Sequence, residues 1–236
     1  MLTTVDESDG ERVLTVRIQE PTVDIGLISD LEPVLDEVER NEIENLVLRF
    51  GGAERTGEFP SWEPGPVRKD MRYFARWDET LSRVSGLTAK TFAAYDGHVG
   101  AAGVQIGLVA DLRLASARAR LATGSLSDGH FPGLGAYWLP KFVGLGTARR
   151  ILLLGEELTA GRAAELGLVD VVEDSVEAAV HATVKAMRPV TPEAACFTRR
   201  ILNDSYLLER GAATELAKAA RYQVGIATRS NQWPKT

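Results

Sequence analysis

The segment FAAYDGHVGAAGVQIGLVADLRLAS, Phe92–Ser116, limits the fold more than any other part of the chain. Thr91–Tyr95 reads as a strand, and it runs into a turn rich in Gly and Ala. Val104–Ala110 then reads as a helix with no polar face, interrupted only by Gln105. A helix that is apolar all round cannot lie on a surface, so other layers must pack on every side of it. Two short strands follow, Leu112–Ala115 and Arg120–Thr123. Strand, buried helix and strand in succession predict an α/β architecture.

The flanking sequence supplies further layers. Arg12–Gln19 alternates apolar and polar residues, as a half-buried strand does. Ile25, Ile28, Leu31, Leu35 and Val38 recur at helical spacing and predict a helix over Ile25–Arg40. Asn45–Phe50 reads as a strand, Gly51–Pro66 as a loop rich in Gly and Pro, and Met71–Gly86 as a helix turning Tyr73, Phe74 and Trp77 inward. Helices are expected to dominate from Thr147 onward. Thr159 is placed to cap Ala160–Leu166, Gly167 to end it, and Leu168–Val172 to form a strand. Beyond Thr191 the chain reads as helical to about Thr228. No strand is assigned ahead of Arg12.

Composition narrows the function. The chain has 27 basic and 33 acidic residues, net −6, with no Lys/Arg block, which argues against nucleic-acid and anionic-membrane partners. The single cysteine, Cys196, excludes an internal disulfide and a metal–thiolate cluster. It suits a reducing compartment, and a cytoplasmic location is expected. No apolar run reaches about 18 residues, so no membrane span is expected. The N-terminal MLTTVDESDGERV is polar and acidic, unlike a secretory signal. No metal and no tightly bound cofactor are expected.

The Gly/Ala turn admits three readings. A nucleotide-phosphate site would use the helix N-terminus, but Gly97, Gly100 and Gly103 are spaced G-x-x-G-x-x-G, not G-x-G-x-x-G, and no P-loop lysine follows. An oxyanion site would use the N–H groups of the first helical turn, which have no partner inside the helix. Alternatively, the small residues serve only close packing of helix on strand.

The quoted segment resembles the central part of the crotonase (enoyl-CoA hydratase/isomerase) superfamily. ARLATGSLSDGHFPGLG is similar to that family's next segment, and VGLGTARRILLLGEELTAGRAAELGLVDVV to a third. The three occur in order between about Ala89 and Val172. The first 60 residues fit more loosely, and the usual N-terminal Arg-Pro…Asn-Ala-Leu motif is absent. The resemblance implies a crotonase-like spiral of ββα repeats over residues 1–190 and a C-terminal helical region, 191–236, used in assembly as a homotrimer or hexamer. It implies an acyl-CoA or carrier-bound acyl substrate, with coenzyme A present only as part of that substrate. The thioester oxygen would lie between two main-chain N–H groups. One falls on Ala102; the other falls on Glu58, or on Phe59 if the loop is offset by one.

Departures from the family pattern carry as much information. The two glutamates that serve family hydratases fall on Gln105 and Ser125, neither of which is a base near neutral pH unaided. Both still exchange hydrogen bonds. Positioned acid–base groups contribute about 10²–10⁴-fold, so simple hydration is disfavoured. Decarboxylation, isomerisation, dehydration or C–C cleavage would still use an oxyanion hole. Asp128 and His130, two apart in SDGHFPG, are candidates for a replacement proton relay, or simply a surface turn. Glu58 is a candidate displaced base. His98, Tyr137 and Trp138 are candidate pocket walls. Asp111 is expected to be structural, and His181 to lie on a helix surface. Arg199 and Arg200 are within the range of residues that hold a CoA phosphate, or are solvated. The competing reading is a catalytically inactive homologue that binds or assembles with a partner.

Overall fold

The computed structural model describes residues 2–8, 11–18, 25–41, 43–51, 71–123 and 132–204, with 212, 218, 219 and 221. In chain order these form β1 (Leu2–Ser8), β2 (Glu11–Ile18), α1 (Ile25–Arg40), β3 (Asn45–Gly51), α2 (Met71–Gly86), β4 (Lys90–Asp96), β5 (His98–Val99), α3 (Ala101–Val109), β6 (Leu112–Ser116) and β7 (Arg120–Leu121). There follow α4 (Gly135–Val143), α5 (Leu145–Leu154), β8 (Leu158–Thr159), α6 (Ala160–Glu165), β9 (Val171–Glu173), α7 (Val176–Met187) and α8 (Pro192–Asp204).

Two sheets share the strands. One runs β1-β2-β3-β4-β6-β9, with β1 antiparallel to β2 and every other pair parallel. The other runs β5-β7-β8. Successive passes of the chain contribute one strand to each sheet: β4 then β5, β6 then β7, β8 then β9. This is the expected spiral. Both faces of the large sheet are covered, which explains the near-continuous apolar run of β4. Leu14, Leu46, Leu48, Ala93 and Tyr95 pack with Ile28, Leu31 and Leu35 of α1 and with α3. Val13, Val47, Phe92, Ala94 and Leu114 point the other way, onto Val176, Ala179 and Val184 of α7.

Most element boundaries agree with the sequence reading, and α1 and α2 agree to the residue. Four points need correction. β1 was not assigned, because its sequence LTTVDES is polar; its place at the sheet edge, paired only with β2, tolerates that. α3 begins at Ala101, three residues before Val104, because burial on all sides outweighs the low helix propensity of Gly103. α4 was not assigned, and Pro140 lies within it. β9 is Val171–Glu173 rather than Leu168–Val172, because Leu168 and Val169 are buried in the core as the chain leaves α6. Most of the expected loop 51–66 and the helix beyond Asp204 fall outside the described residues.

All nine residues of α3 are buried. Val104, Ile106, Leu108 and Val109 contribute about 1.5–3 kcal/mol each by leaving water. The glycines set how closely α3 lies on β4. A Cβ at Gly107 would stand 1.7 Å from the Tyr95 hydroxyl, and one at Gly103 2.8 Å from the Phe50 ring. Tyr95 donates from that hydroxyl to the Gly103 carbonyl at 3.2 Å. Complete burial pushes the Tyr95 phenol above its usual range, so it stays a neutral donor. The packing reading of these two glycines is therefore correct.

Two ionic clusters fix the ends of β4. At its start, Asp111 accepts from the Thr91 N–H at 2.7 Å and from Arg199 of α8. Arg199, only 4 % exposed, also donates to the Ser85 carbonyl at 2.8 Å and to the Leu87 carbonyl. Arg199 is thus the anchor of α8, not a surface group for phosphate, whereas Arg200 is exposed. The structural expectation for Asp111 holds, and His181 is exposed on α7. At the other end, Asp96 accepts from Arg118 at 2.8 and 2.8 Å, from Ser116 at 2.7 Å and from Arg49 at 3.2 Å. The Arg118 bonds hold its carboxyl well below the usual carboxylate range, against the opposing effect of burial.

Two predictions follow from this packing. Gly107→Ala should destabilise the protein by about 1–3 kcal/mol through overpacking, and Tyr95→Phe in the same chain should recover part of that loss. Strictly additive denaturant midpoints would contradict the contact. Asp96→Asn should cost about 2 kcal/mol at pH 7. Because the folded carboxyl titrates below the unfolded one, its contribution is complete above the unfolded value. It is lost as pH falls below about 4 toward the folded value. Urea unfolding of both proteins at pH 7 and pH 3 should show the difference shrinking in acid.

Candidate active site

α3 starts where the chain leaves β5 through Gly100, which caps the helix in an extended conformation, φ −85° and ψ −174°. The first internal backbone bond runs from the Val104 N–H to the Gly100 carbonyl at 3.2 Å. The amides of Ala101, Ala102 and Gly103 precede it and have no carbonyl one turn back within the helix. The Val99 carbonyl just before the turn is bonded by the Ala122 N–H at 2.9 Å, which ties β5 to β7. Ala102 is fully buried.

A small cleft of about 10 Å³, partly open to solvent, lies beside this helix. Its walls include Ala101, Val104, Gln105, Thr123, Pro132 and Gly135. Among the described residues the wall is almost wholly apolar, with Gln105 and Thr123 as its polar side chains. Gln105 is 6 % exposed and its Oε1 accepts from the Trp77 indole N–H at 2.9 Å. That bond fixes the amide orientation and leaves the Gln105 NH₂ as the donor end. The turn 132–135 closes over the same side chain: a Cβ at Gly135 would meet Gln105 Cγ at 3.3 Å. Gly133, two residues earlier, has φ +51°, and the Asp78 Oδ1 lies 3.9 Å from a Cβ built there. Burial pushes the Asp78 carboxyl above its ordinary value.

The remaining candidates lie in different surroundings. His98 is on β5 with Nδ1 3.7 Å from Glu157 Oε2, just ahead of β8. Tyr137 and Trp138 stack edge-on at 5.0 Å on α4, with the Lys141 ammonium over both rings at 3.7 and 3.9 Å. Trp138 packs against the main core. Neither ring is among the cleft walls. Glu58, Phe59, Ser125, Asp128 and His130 lie outside the described residues.

Trp77 was read from the sequence as a core aromatic, and it is one. Its bond to Gln105 was not legible, because helical spacing gives burial but not the aim of an indole N–H. Thr123 was also missed. It had a signal, since it ends a strand that follows the buried helix.

Comparison with known proteins agrees with this geometry. The family profile described as "Enoyl-CoA hydratase/isomerase" matches residues 10–224. "Enoyl-CoA hydratase domain-containing protein 2, mitochondrial" of Mus musculus is 27 % identical over 141 residues, 58 % of this chain. The match spans about half, 47 %, of that relative's length. The crystal structure of enoyl-CoA hydratase/isomerase from Cupriavidus metallidurans CH34 superposes with a TM-score of 0.75 and 27 % identity, covering 94 % of this chain and 87 % of that one. The enoyl-CoA hydratase from Thermoplasma volcanium GSS1 has the same fold, with a TM-score of 0.79, 20 % identity and coverage of 100 % and 98 %. A family profile matched over nearly the whole sequence, a shared spiral of strands and a buried glycine-led helix beside an apolar cleft converge: the chain belongs to the enoyl-CoA hydratase/isomerase family.

Proposed function

We propose that the protein binds an acyl-CoA thioester, or the same acyl group on a carrier, and stabilises its enolate through main-chain amides. The observation that carries this reading is the start of α3: amides without intrahelical partners, in an apolar setting, next to a small apolar cleft. Ala102 supplies one donor to the thioester oxygen, aided by the positive end of the helix. The second donor belongs to the loop after β3, at Glu58 or Phe59. When the α-carbon loses a proton or a carboxylate, its electron pair moves into the C–C bond and the carbonyl pair moves onto oxygen. There the two N–H groups hold it.

Simple hydration is not the reaction proposed. Gln105 occupies the position where family hydratases carry a carboxylate, and its amide is held by Trp77. Decarboxylation, double-bond isomerisation or C–C cleavage each passes through the enolate without moving water at the position that carboxylate serves. Residues 191–236 are proposed to take part in assembly to a trimer or a dimer of trimers. Leu145, Leu153 and Leu154 of α5 and Leu202 of α8, each more than half exposed, support an assembled state.

The direct test reads polarisation rather than turnover. Butyryl-CoA should bind by calorimetry, and the thioester carbonyl stretch of the bound ligand should fall in frequency. Ala102→Pro, which deletes the amide proton, should abolish the shift and reduce any turnover about 10²–10³-fold. No affinity for any CoA thioester, or binding with an unshifted carbonyl, rejects the reading. Gln105→Glu with Ser125→Glu should raise crotonyl-CoA hydration at least about 100-fold, seen as loss of enoyl absorbance. Light scattering should give three or six times the 25.6 kDa chain mass; a monomer contradicts the assembly.

A further inference from the structure

A glutamine in an apolar wall has two polar ends to satisfy, and here the protein satisfies one of them. Gln105 lines the cleft and is 6 % exposed. Its Oε1 accepts from the Trp77 indole N–H at 2.9 Å. An indole N–H only donates, so this bond decides which end of the amide is oxygen and which is nitrogen. The nitrogen end, Nε2, has no hydrogen-bond partner among the described residues. Packing holds the side chain as well. A Cβ at Gly135 would meet Gln105 Cγ at 3.3 Å and Cδ at 3.6 Å, so the turn 132–135 lies against it. Trp77 is itself 4 % exposed and packed in the core, so its indole is not free to swing away.

Satisfying the indole does not account for this residue. Any acceptor would serve Trp77, and glutamine adds a donor that the protein itself leaves unmet. An unmet buried donor costs free energy, and an acceptor from a ligand would recover it. The cleft defines that acceptor. At about 10 Å³ it has room for roughly one water-sized group. A carbonyl oxygen fits this space. A carboxylate is larger and would leave water for one neutral amide and apolar walls, an unfavourable exchange. The helix defines its position. Gln105 is three residues past Ala102, about 4.5 Å along the axis of α3, and Ala101 lines the same cleft. Helical side chains lean toward the N-terminus, so the amide reaches back toward the first turn. An oxygen held there is a near neighbour of the one at Ala102, as in an acyl chain with one carbon between its two carbonyls.

We infer that Trp77 is a positioning residue that sets Gln105 as a hydrogen-bond donor in the cleft, and that the site selects acyl thioesters with a ketone oxygen on the β-carbon. The inference rests on the acyl-thioester reading above. Trp77 acts through Gln105 rather than on the ligand: it pins Oε1, which turns the NH₂ toward the acyl group. A saturated or simple enoyl chain leaves that donor unmet, and a β-ketone meets it.

Paired ligands test this apart from turnover. Acetoacetyl-CoA and butyryl-CoA have acyl chains of equal length and differ at the β-carbon, a ketone in one and a methylene in the other. By calorimetry the parent protein should bind acetoacetyl-CoA at least about fivefold more tightly. Gln105→Met, which nearly keeps the volume and removes the donor, should bring the two affinities to within about twofold of each other. Trp77→Phe, which removes the indole N–H, should cut the parent preference at least about threefold. Adding it to Gln105→Met should change the preference no further. A general loss of packing weakens both ligands alike, so the preference isolates the donor. Trp77→Tyr replaces Trp77→Phe should that variant fail to fold. Equal parental affinities overturn the inference and leave the thioester reading standing. So does an unchanged preference in a folded Trp77 or Gln105 variant. Malonyl-CoA bound more tightly than acetoacetyl-CoA overturns the choice of a neutral acceptor. Absence of parental affinity for both butyryl-CoA and acetoacetyl-CoA rejects the thioester reading itself, and this inference with it.

Discussion

The close seating of α3 on β4 is the constraint on which the rest of this structure depends. Tyr95 rises from the strand under the helix, bonds the Gly103 carbonyl, and fills the space that a side chain at Gly107 would need. Seated this closely, the helix is dry along its whole length and its first-turn amides sit in an apolar surrounding. Electrostatic interactions are stronger there than in water. The same contact fixes the direction in which Gln105 leaves the helix, and so where the cleft lies.

The two ends of β4 are held by charge, in opposite ways. At the start of the strand, Arg199 reaches in from α8 and gathers Asp111 with backbone carbonyls, so the helix is tied to the sheet by a nearly dry ion pair. At its other end, Asp96 gathers three donors from β3, β6 and the turn after β6 at the point where the chain enters the Gly97 turn. Gly51 belongs to this end as well. Its φ of +88° brings β3 against the Asp96 backbone so closely that a Cβ would overlap the Asp96 carbonyl oxygen. The loop carrying the proposed second donor therefore departs from a fixed point.

Much of the fold was legible because burial leaves a periodic trace. α1 repeats its apolar residues at helical spacing and α2 has a clear amphipathic face, and both were bounded to the residue. β4 and α3 were legible from their lack of polar residues. β1 was not, since a strand with one neighbour needs little apolar content, although Asp9-Gly10 ahead of Glu11 is a hairpin dipeptide. The position of Gln105 in the cleft wall follows from the family pattern, but its grip on Trp77 does not, because two helices far apart in sequence must meet first. Arg199 shows the same limit. Its charge implies solvent, and only the assembled fold provides Asp111 and two carbonyls to receive it.

The alternation of strands between the two sheets has its own consequence. β5, β7 and β8 are only two residues long, far too short to pair stably by themselves. β5 and β7 follow the longer strands β4 and β6 of the large sheet with no more than three residues between, and β8 leads through α6 to β9. The small sheet cannot form before the large one, and the turn leading into α3 exists only once both are in place. Partial unfolding that keeps the cleft while losing the large sheet is closed to this topology. Heat or denaturant should therefore remove cleft and scaffold in a single cooperative event.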